Sequence, residues 1–294
     1  MSNITIYRPH QRHEHGWIHT WSVMVRNVWL SRELIWQLFK RDFFAQYKKS
    51  FLGATWVFIS PIVGILSWVF LQFTGVLQPG DVGIPYAAYV LVGTSMWGLF
   101  LGLYKASAGT LSAGKDLIMQ VNYPHEAMLF KQVGQQAATF SITLGLNLVV
   151  LVLLRVFQPE GFSIDFPSWG LLLFPLVVVP IFVLASALGL LVAMIQVVAV
   201  DISKLLTTTL GLLMYITPII YSADTITNPM SRAAIRWNPL TYLICSARDV
   251  LIYGHLYERN VEAYLTASGA SFLFFLIAWR LFYVSESQLV ERMV

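Results

Sequence analysis

The sequence predicts an all-α integral membrane protein with six transmembrane helices, and three observations lead to this prediction. Hydrophobic residues make up 57% of the 294 residues and charged residues only 12%, about half the charged share of a soluble domain. Six apolar stretches approach the roughly 20 residues that a helix needs to span a bilayer. These stretches are continuous, whereas the strands of a membrane barrel alternate. The predicted spans lie near Ala54–Leu77, Tyr86–Ala108, Val133–Phe157, Trp169–Val198, Lys204–Tyr221 and Tyr264–Tyr283.

The charge pattern predicts how the chain is oriented. The net charge is +4 and the pI about 9.1, but the basic residues flank the spans, so no nucleic-acid partner is expected. The segment before the first span carries eight Lys and Arg residues, and loop 78–85 carries none. The positive-inside rule therefore places the N-terminus in the cytoplasm, and six spans return the C-terminus there. This predicts a multi-pass protein of the cytoplasmic (inner) membrane.

The segments outside the spans are predicted from composition and periodicity. Residues 1–30 read as a cytoplasmic tail that is polar from Met1 to Thr20, and its histidines fit no metal-site spacing. Residues 31–53 read as an amphipathic helix at the membrane interface, because Ile35, Phe39, Phe43 and Tyr47 recur every four residues. A soluble helix packed on a cytoplasmic domain is the alternative. Residues 54–285 form the predicted six-helix membrane domain, and 286–294 a cytoplasmic C-terminus.

Two loops are predicted to carry short helices. Loop 109–132 contains a small apolar patch, Leu117, Ile118 and Val121, which ends at Tyr123-Pro124. Such a helix suits docking into a partner's groove, and the alternative is a loop helix lying on the bilayer. Region 222–262 is too apolar to be simply solvated, so we expect two short helices that dip back toward the outer leaflet.

The chain shows no sequence pattern of an enzyme. Residues 109–116 nearly match a phosphate-binding loop, but Asp116 stands where a Ser or Thr should ligate Mg²⁺. No nucleophile elbow, zinc motif or carboxylate pair at helical spacing within a span was found. We therefore expect no cofactor in this chain, and any ATP used must be bound by another subunit.

An aromatic stripe follows one face of the second span. At 100° per residue, Tyr86, Tyr89, Trp97, Phe100 and Tyr104 fall on the same side of a helix. Aromatic faces can pack on the apolar faces of sugar rings, so these five residues are candidates for the wall of a substrate channel. Helix packing or lipid contact is the alternative that the stripe leaves open.

The order of several short motifs resembles a known family, the ABC-2-type permeases of the polysaccharide-exporting branch, which export O-antigens, teichoic acids and capsules. The resemblance runs from about residue 30 to 285, and one departure is Val200, where family members often have Arg before Asp201. The matching residues are Phe39–Asp42, Tyr47–Ser50, Leu52-Gly53, Trp56, Pro61, Gly93 with Trp97, Leu117-Ile118, Tyr123-Pro124, Asp201-Ile202, Pro218–Tyr221, Asn238–Leu240 and Arg248.

The resemblance implies a homodimer that works with two ATPase subunits, which bind ATP and Mg²⁺. It implies a coupling helix that contacts the ATPase and short gate helices on the outer side. The coupling residues would be Lys115, Asp116, Leu117, Ile118, Val121, Tyr123, Pro124 and Glu126. The outer gate would include Asn238, Pro239 and Arg248.

The predicted function is that of the membrane-spanning permease subunit of an ATP-driven exporter, which moves a lipid-linked polysaccharide such as O-antigen. Arg41, Lys48 and Lys49 are candidates to contact the lipid pyrophosphate and membrane lipids. An ABC-2 exporter of small drugs or lipids is an alternative of the same class. An integral-membrane enzyme acting on lipid-linked sugars, or a passive channel, would be alternatives of other classes.

Overall fold

A computed structural model describes residues 17–48, 53–112, 125–158, 169–256 and 258–293. These residues form α-helices joined by short turns and two single 3₁₀ turns, without strands in the ranges given. The helices are α1 (Trp17–Leu30), α2 (Arg32–Lys48), α3 (Trp56–Phe73), α4 (Tyr86–Ala108), α5 (His125–Phe157), α6 (Gly170–Val198), α7 (Val200–Ile216), α8 (Pro229–Trp237), α9 (Pro239–Tyr253) and α10 (Glu258–Met293).

Four of these helices are long and apolar enough to cross a membrane among the residues that the structure describes. They cover Tyr86–Ala108, Glu126–Phe157, Gly170–Val198 and Asn260–Ser285. The other two predicted spans correspond to α3 and α7, which are helices of 18 and 17 residues. At 1.5 Å per residue each is somewhat shorter than the roughly 30 Å hydrocarbon core. The fold is therefore that of a multi-pass helical membrane protein, and the count of six spans stays a prediction.

Helix α6 lies at the centre of the bundle and packs against α4, α9 and α10. It approaches α4 closely at Gly189, where an added Cβ would lie 2.6 Å from the Tyr104 carbonyl oxygen. Small residues allow membrane helices to approach at backbone distance. The sequence places glycine here because any side chain would push the two central helices apart.

The two ends of the bundle carry different accessory helices. Helices α1 and α2 pack on the start of α5, and α1 also contacts α10. We call this end, defined by Glu126 and Lys131 of α5, the basal end. Helices α8 and α9 lie at the opposite end beside the start of α4 and the end of α7, and we call that end apical. The two predicted short helices of region 222–262 correspond to α8 and α9.

Helix α1 shows that the second half of the predicted tail, residues 1–30, packs on the bundle. From Trp17 onward the segment is helical, and Met24 is fully buried. The Trp21 ring meets the Trp279 ring edge-to-face, with their centroids 5.6 Å apart. Trp21, Met24 and Val28 recur at helical spacing, so an apolar stripe was present in the sequence. Residues 1–16 lie outside the described residues.

The close approach at Gly189 predicts a stability effect. Gly189→Ala should lower the melting temperature in detergent, because overpacking a tight contact costs roughly 1–3 kcal/mol. Intrinsic tryptophan fluorescence during heating would measure it. Gly145→Ala on α5 is the matched control, since an added Cβ there has no heavy atom within 4 Å. Equal melting temperatures for both variants would contradict the packing interpretation.

Candidate functional site

The apical end is organised around a break in the backbone. Helix α7 ends at Ile216, and residues 217–221 continue without regular helical structure. Two tyrosines of α4 satisfy the carbonyl groups that the break frees. The Tyr86 hydroxyl donates to the Ile220 carbonyl oxygen at 3.0 Å, and the Tyr89 hydroxyl donates to that of Tyr221 at 2.9 Å. We call residues 217–221 the apical break.

Arg248 of α9 binds the same segment from another side. Its Nη1 donates to the Pro218 carbonyl oxygen at 3.0 Å, and its guanidinium carbon lies 4.1 Å from the centroid of the Tyr89 ring. Its Nε lies 3.3 Å from Oδ1 of Asp249. Arg248 and Asp249 are both buried. A buried ion pair is stable only when hydrogen bonds satisfy both ions. Here the guanidinium of Arg248 also donates to the Pro218 carbonyl and stacks on the Tyr89 ring.

Asn238 joins the start of α9 to the apical break. Its Oδ1 accepts a hydrogen bond from the Leu240 backbone N–H at 3.1 Å, which caps α9. Its Nδ2 donates to the Thr217 hydroxyl at 2.8 Å. Pro239 follows as the first residue of α9, where a missing N–H is harmless. The predicted gate residues therefore lie together at the apical break, and their role as a gate stays a prediction.

The five aromatic residues of the α4 stripe are buried within the helical bundle of the single chain. They are Tyr86, Tyr89, Trp97, Phe100 and Tyr104. Besides the two apical hydrogen bonds, the Tyr104 hydroxyl lies 3.1 Å from the Thr207 hydroxyl of α7. The Trp97 and Phe100 rings are 5.4 Å apart. Packing within the chain accounts for all five, and their role as a channel wall stays a prediction.

At the basal end an ion pair joins α2 to α5. The Lys131 ammonium donates to Asp42 Oδ2 at 2.9 Å, and the Arg41 Nε donates to Asp42 Oδ1 at 2.7 Å. Burial alone would raise the pKa of the Asp42 carboxyl, but the hydrogen bonds from Arg41 and Lys131 outweigh it and hold that pKa below its ordinary value. The stabilisation is therefore present above the ordinary carboxyl pKa and is lost as pH falls through the lower folded value.

The other predicted basal residues are only partly covered by the structure. Arg41 is exposed, with a side chain 66% accessible. Lys48 ends α2, but its side chain and Lys49 lie outside the described residues, as do the predicted coupling residues from Lys115 to Pro124. Glu126 is described: it is buried, and its Oε1 lies 3.5 Å from Asn27 Nδ2 of α1. The contact of these residues with an ATPase stays a prediction.

The sequence analysis missed Lys131, which gave no motif of its own. Its side chain is only 6% exposed although it is cationic. A charged residue just before a predicted span needs a partner if it is buried, and this signal could have directed attention to an acid such as Asp42. Within the described ranges, no group of three His, Cys, Asp or Glu residues could hold a metal ion.

Comparison with known proteins gives a family match and several relatives. The family described as ABC-2 type transporter matches residues 33–252. The O-antigen export system permease protein RfbA of Myxococcus xanthus is 28% identical over 234 residues, which cover 79% of this chain and 85% of the relative. Two proteins of the same name from Klebsiella pneumoniae are 25% and 23% identical over 236 residues, which cover 80% of this chain and 86% of each relative.

The buried Arg248–Asp249 pair predicts an asymmetric mutational effect. Arg248→Met should destabilise the protein by about 3–5 kcal/mol, because it leaves the Asp249 carboxylate buried without its cation. The double variant Arg248→Met/Asp249→Leu should recover part of this loss, since no buried charge remains. Thermal unfolding in detergent would measure both variants.

Arg236→Met is the control for this pair, because Arg236 is an exposed arginine on α8 and its loss should change the melting temperature little. If the double variant is less stable than Arg248→Met alone, the uncompensated Asp249 charge is not the cause of the loss.

Proposed function

We propose that this chain, which belongs to the ABC-2 type transporter family, is the membrane-spanning permease subunit of an ATP-driven exporter of lipid-linked polysaccharide. The proposed glycan is O-antigen, because the relatives are named O-antigen export permeases. The proposal places the protein in the cytoplasmic membrane with both termini in the cytoplasm. The basal end then faces the cytoplasm and the apical end faces outward.

The observation that carries the proposal is the extent of the family match. Residues 33–252 begin with α2 at the basal end and end with α9 at the apical end. The match therefore includes the ion pair between Asp42 and Lys131 and the contacts of Arg248 with the apical break. Relatives that align over about four-fifths of this chain carry the word permease in their names.

The energy source is proposed to be a separate pair of ATPase subunits that bind ATP and Mg²⁺. Asp116 stands where a phosphate-binding loop needs a hydroxyl. Binding of ATP is therefore assigned to the partner subunit. The ATPase would contact the loop that precedes α5. Movement of this loop would displace the first turns of α5, to which α1 and α2 are attached.

The permease is proposed to act as a homodimer. Helix α7 has no buried residue in the single chain, and it exposes Val200, Leu205 and Leu212. Helix α3 exposes Leu66 and Phe70 in the same way. A second copy packed against these two helices would cover apolar surface and enclose a path for the glycan between the copies.

The proposed function predicts ATP-dependent movement of a lipid-linked glycan. The permease would be reconstituted in vesicles with its proposed ATPase partner, and a lipid-linked O-antigen would be supplied on the ATPase side. Glycan should become accessible to an added glycosidase on the far side only with hydrolysable ATP. Transport without ATP would favour a passive channel. ATP-dependent movement of small drugs or simple lipids without glycan would favour the alternative exporter.

The aromatic stripe predicts a contact that forms only during transport. A photoreactive benzoylphenylalanine at Trp97 should crosslink to glycan during ATP turnover and to the chain itself at rest, because Trp97 is buried in the resting chain. Exposed Phe157 at the end of α5 is the control position, where crosslinking should not depend on ATP. If position 97 never crosslinks to glycan while export proceeds, the stripe serves packing alone.

A further inference from the structure

Asp42 of α2 sits between two cations that differ in their surroundings. Arg41 binds one carboxylate oxygen and is 66% exposed, whereas Lys131 binds the other and is 6% exposed. Exposed ion pairs contribute little because water screens them and the side chains lose freedom. The contact with Lys131 is different, since a buried ammonium that loses its partner is strongly unfavourable. Asp42 is therefore bound more firmly to α5 than to its own neighbour.

Lys131 has a second acceptor that fixes its direction. Its ammonium also donates to Gln135 Oε1 at 3.2 Å, one turn further along α5. Two acceptors, one on each helix, define where the ammonium lies. The lysine thus forms a bridge from the second turn of α5 to the middle of α2.

Apolar contacts hold the two helices side by side around this bridge. Leu34 and Ile35 of α2 pack on the buried pair Ala127 and Met128 at the start of α5. The Phe39 ring lies near Gly134, where an added Cβ would be 3.9 Å away. Together with the bridge, the contacts extend from Leu34 to Asp42 on α2 and from Ala127 to Gly134 on α5. Helix α2 therefore packs alongside the first turns of α5.

The first turns of α5 lie where movement of the preceding loop would reach the bridge. Helix α5 begins at His125, immediately after the loop in which the coupling helix was predicted. Helix α2 carries Arg41 and leads to Lys48, two of the three residues predicted to contact the lipid pyrophosphate. The α2–α5 contact thus lies between the two predicted activities, contact with the ATPase and contact with the substrate.

We propose that Lys131 is a positioning residue that acts through Asp42 to hold α2 in register with the first turns of α5. Through this bridge, a displacement of the loop before α5 moves the substrate-contacting helix with it. Without the bridge, α5 moves and α2 lags behind. The mechanical part of the inference concerns this chain alone, and its role in transport rests on the proposed function.

The attachment is tested first, by a measurement that needs no substrate. Cys245 is the chain's one cysteine, so Cys245→Ala gives a background in which Ala45→Cys can carry a nitroxide spin label. Ala45 is exposed on α2, one turn from Asp42. In bilayer discs, Asp42→Asn and Lys131→Met should each shift the label's spectrum toward faster motion. The double variant should shift it no further than either single variant, because each removes the same contact.

Two controls match the two substitutions. Glu33→Gln changes an exposed acid of α2 that accepts a hydrogen bond from Gln37, and Lys105→Met removes an exposed lysine at the end of α4. Neither should change the motion of the label. If Asp42→Asn and Lys131→Met leave the spectrum unchanged, or if their effects add in the double variant, the bridge does not hold α2 and the inference is overturned.

The coupling role is then tested in the complex with the ATPase. Lys131→Met should reduce the glycan transported per ATP hydrolysed by roughly fivefold or more, the lower range of coupling between linked sites, while hydrolysis continues. The charge-reversed pair Asp42→Lys/Lys131→Asp should restore part of the ratio. If Lys131→Met speeds the motion of the spin label but leaves the glycan transported per ATP unchanged, the bridge is structural and the coupling role is refuted. If the unmodified complex exports no glycan while the substitutions still speed the label, the proposed function is refuted and the attachment of α2 to α5 stands.

Discussion

The apical architecture depends on one constraint, that every backbone polar group freed inside a membrane protein needs a partner from the protein. Helix α7 stops at Ile216, and the carbonyl groups of the apical break would otherwise face an apolar interior. Tyr86, Tyr89 and Arg248 supply the donors. Helices α4 and α9 are therefore fixed to the end of α7 through its backbone. The positions of these helices follow from satisfying the break.

The approach of α4 to the break also depends on a missing side chain. At Gly93, an added Cβ would lie 2.8 Å from the Ile219 carbonyl oxygen. The tyrosine hydroxyls can reach the carbonyl groups because the α4 backbone lies so close. The hydrogen bonds of the two tyrosines to the apical break therefore depend on the glycine at position 93. At the basal end, the described parts of α2 and α5 are continuous helices, and an ion pair and apolar contacts join them.

Features that repeat along one helix could be predicted from the sequence, whereas pairings between helices could not. Helix α4 has the predicted bounds Tyr86–Ala108, and α2 lies within the predicted amphipathic segment, because periodicity is local information. The family was confirmed because its motifs keep their order. Lys131 could not be matched to Asp42, since many acids could have been its partner until α2 was placed along α5. The apolar stripe of α1 was overlooked because the polar residues before it dominated the composition.

The aromatic stripe of α4 connects the two ends of the molecule. Tyr86 and Tyr89 bind the apical break, and Tyr104, about five turns from Tyr86 along the helix, contacts Thr207 in the middle of α7. The stripe thus joins α4 to α7 and the break that follows it at two separate levels. Under the proposed function, a glycan would reach these rings only after the contacts that bury them had opened. The hydroxyl contacts to the apical break and to Thr207 would then have to be released, which would link opening of the proposed path to release of the break.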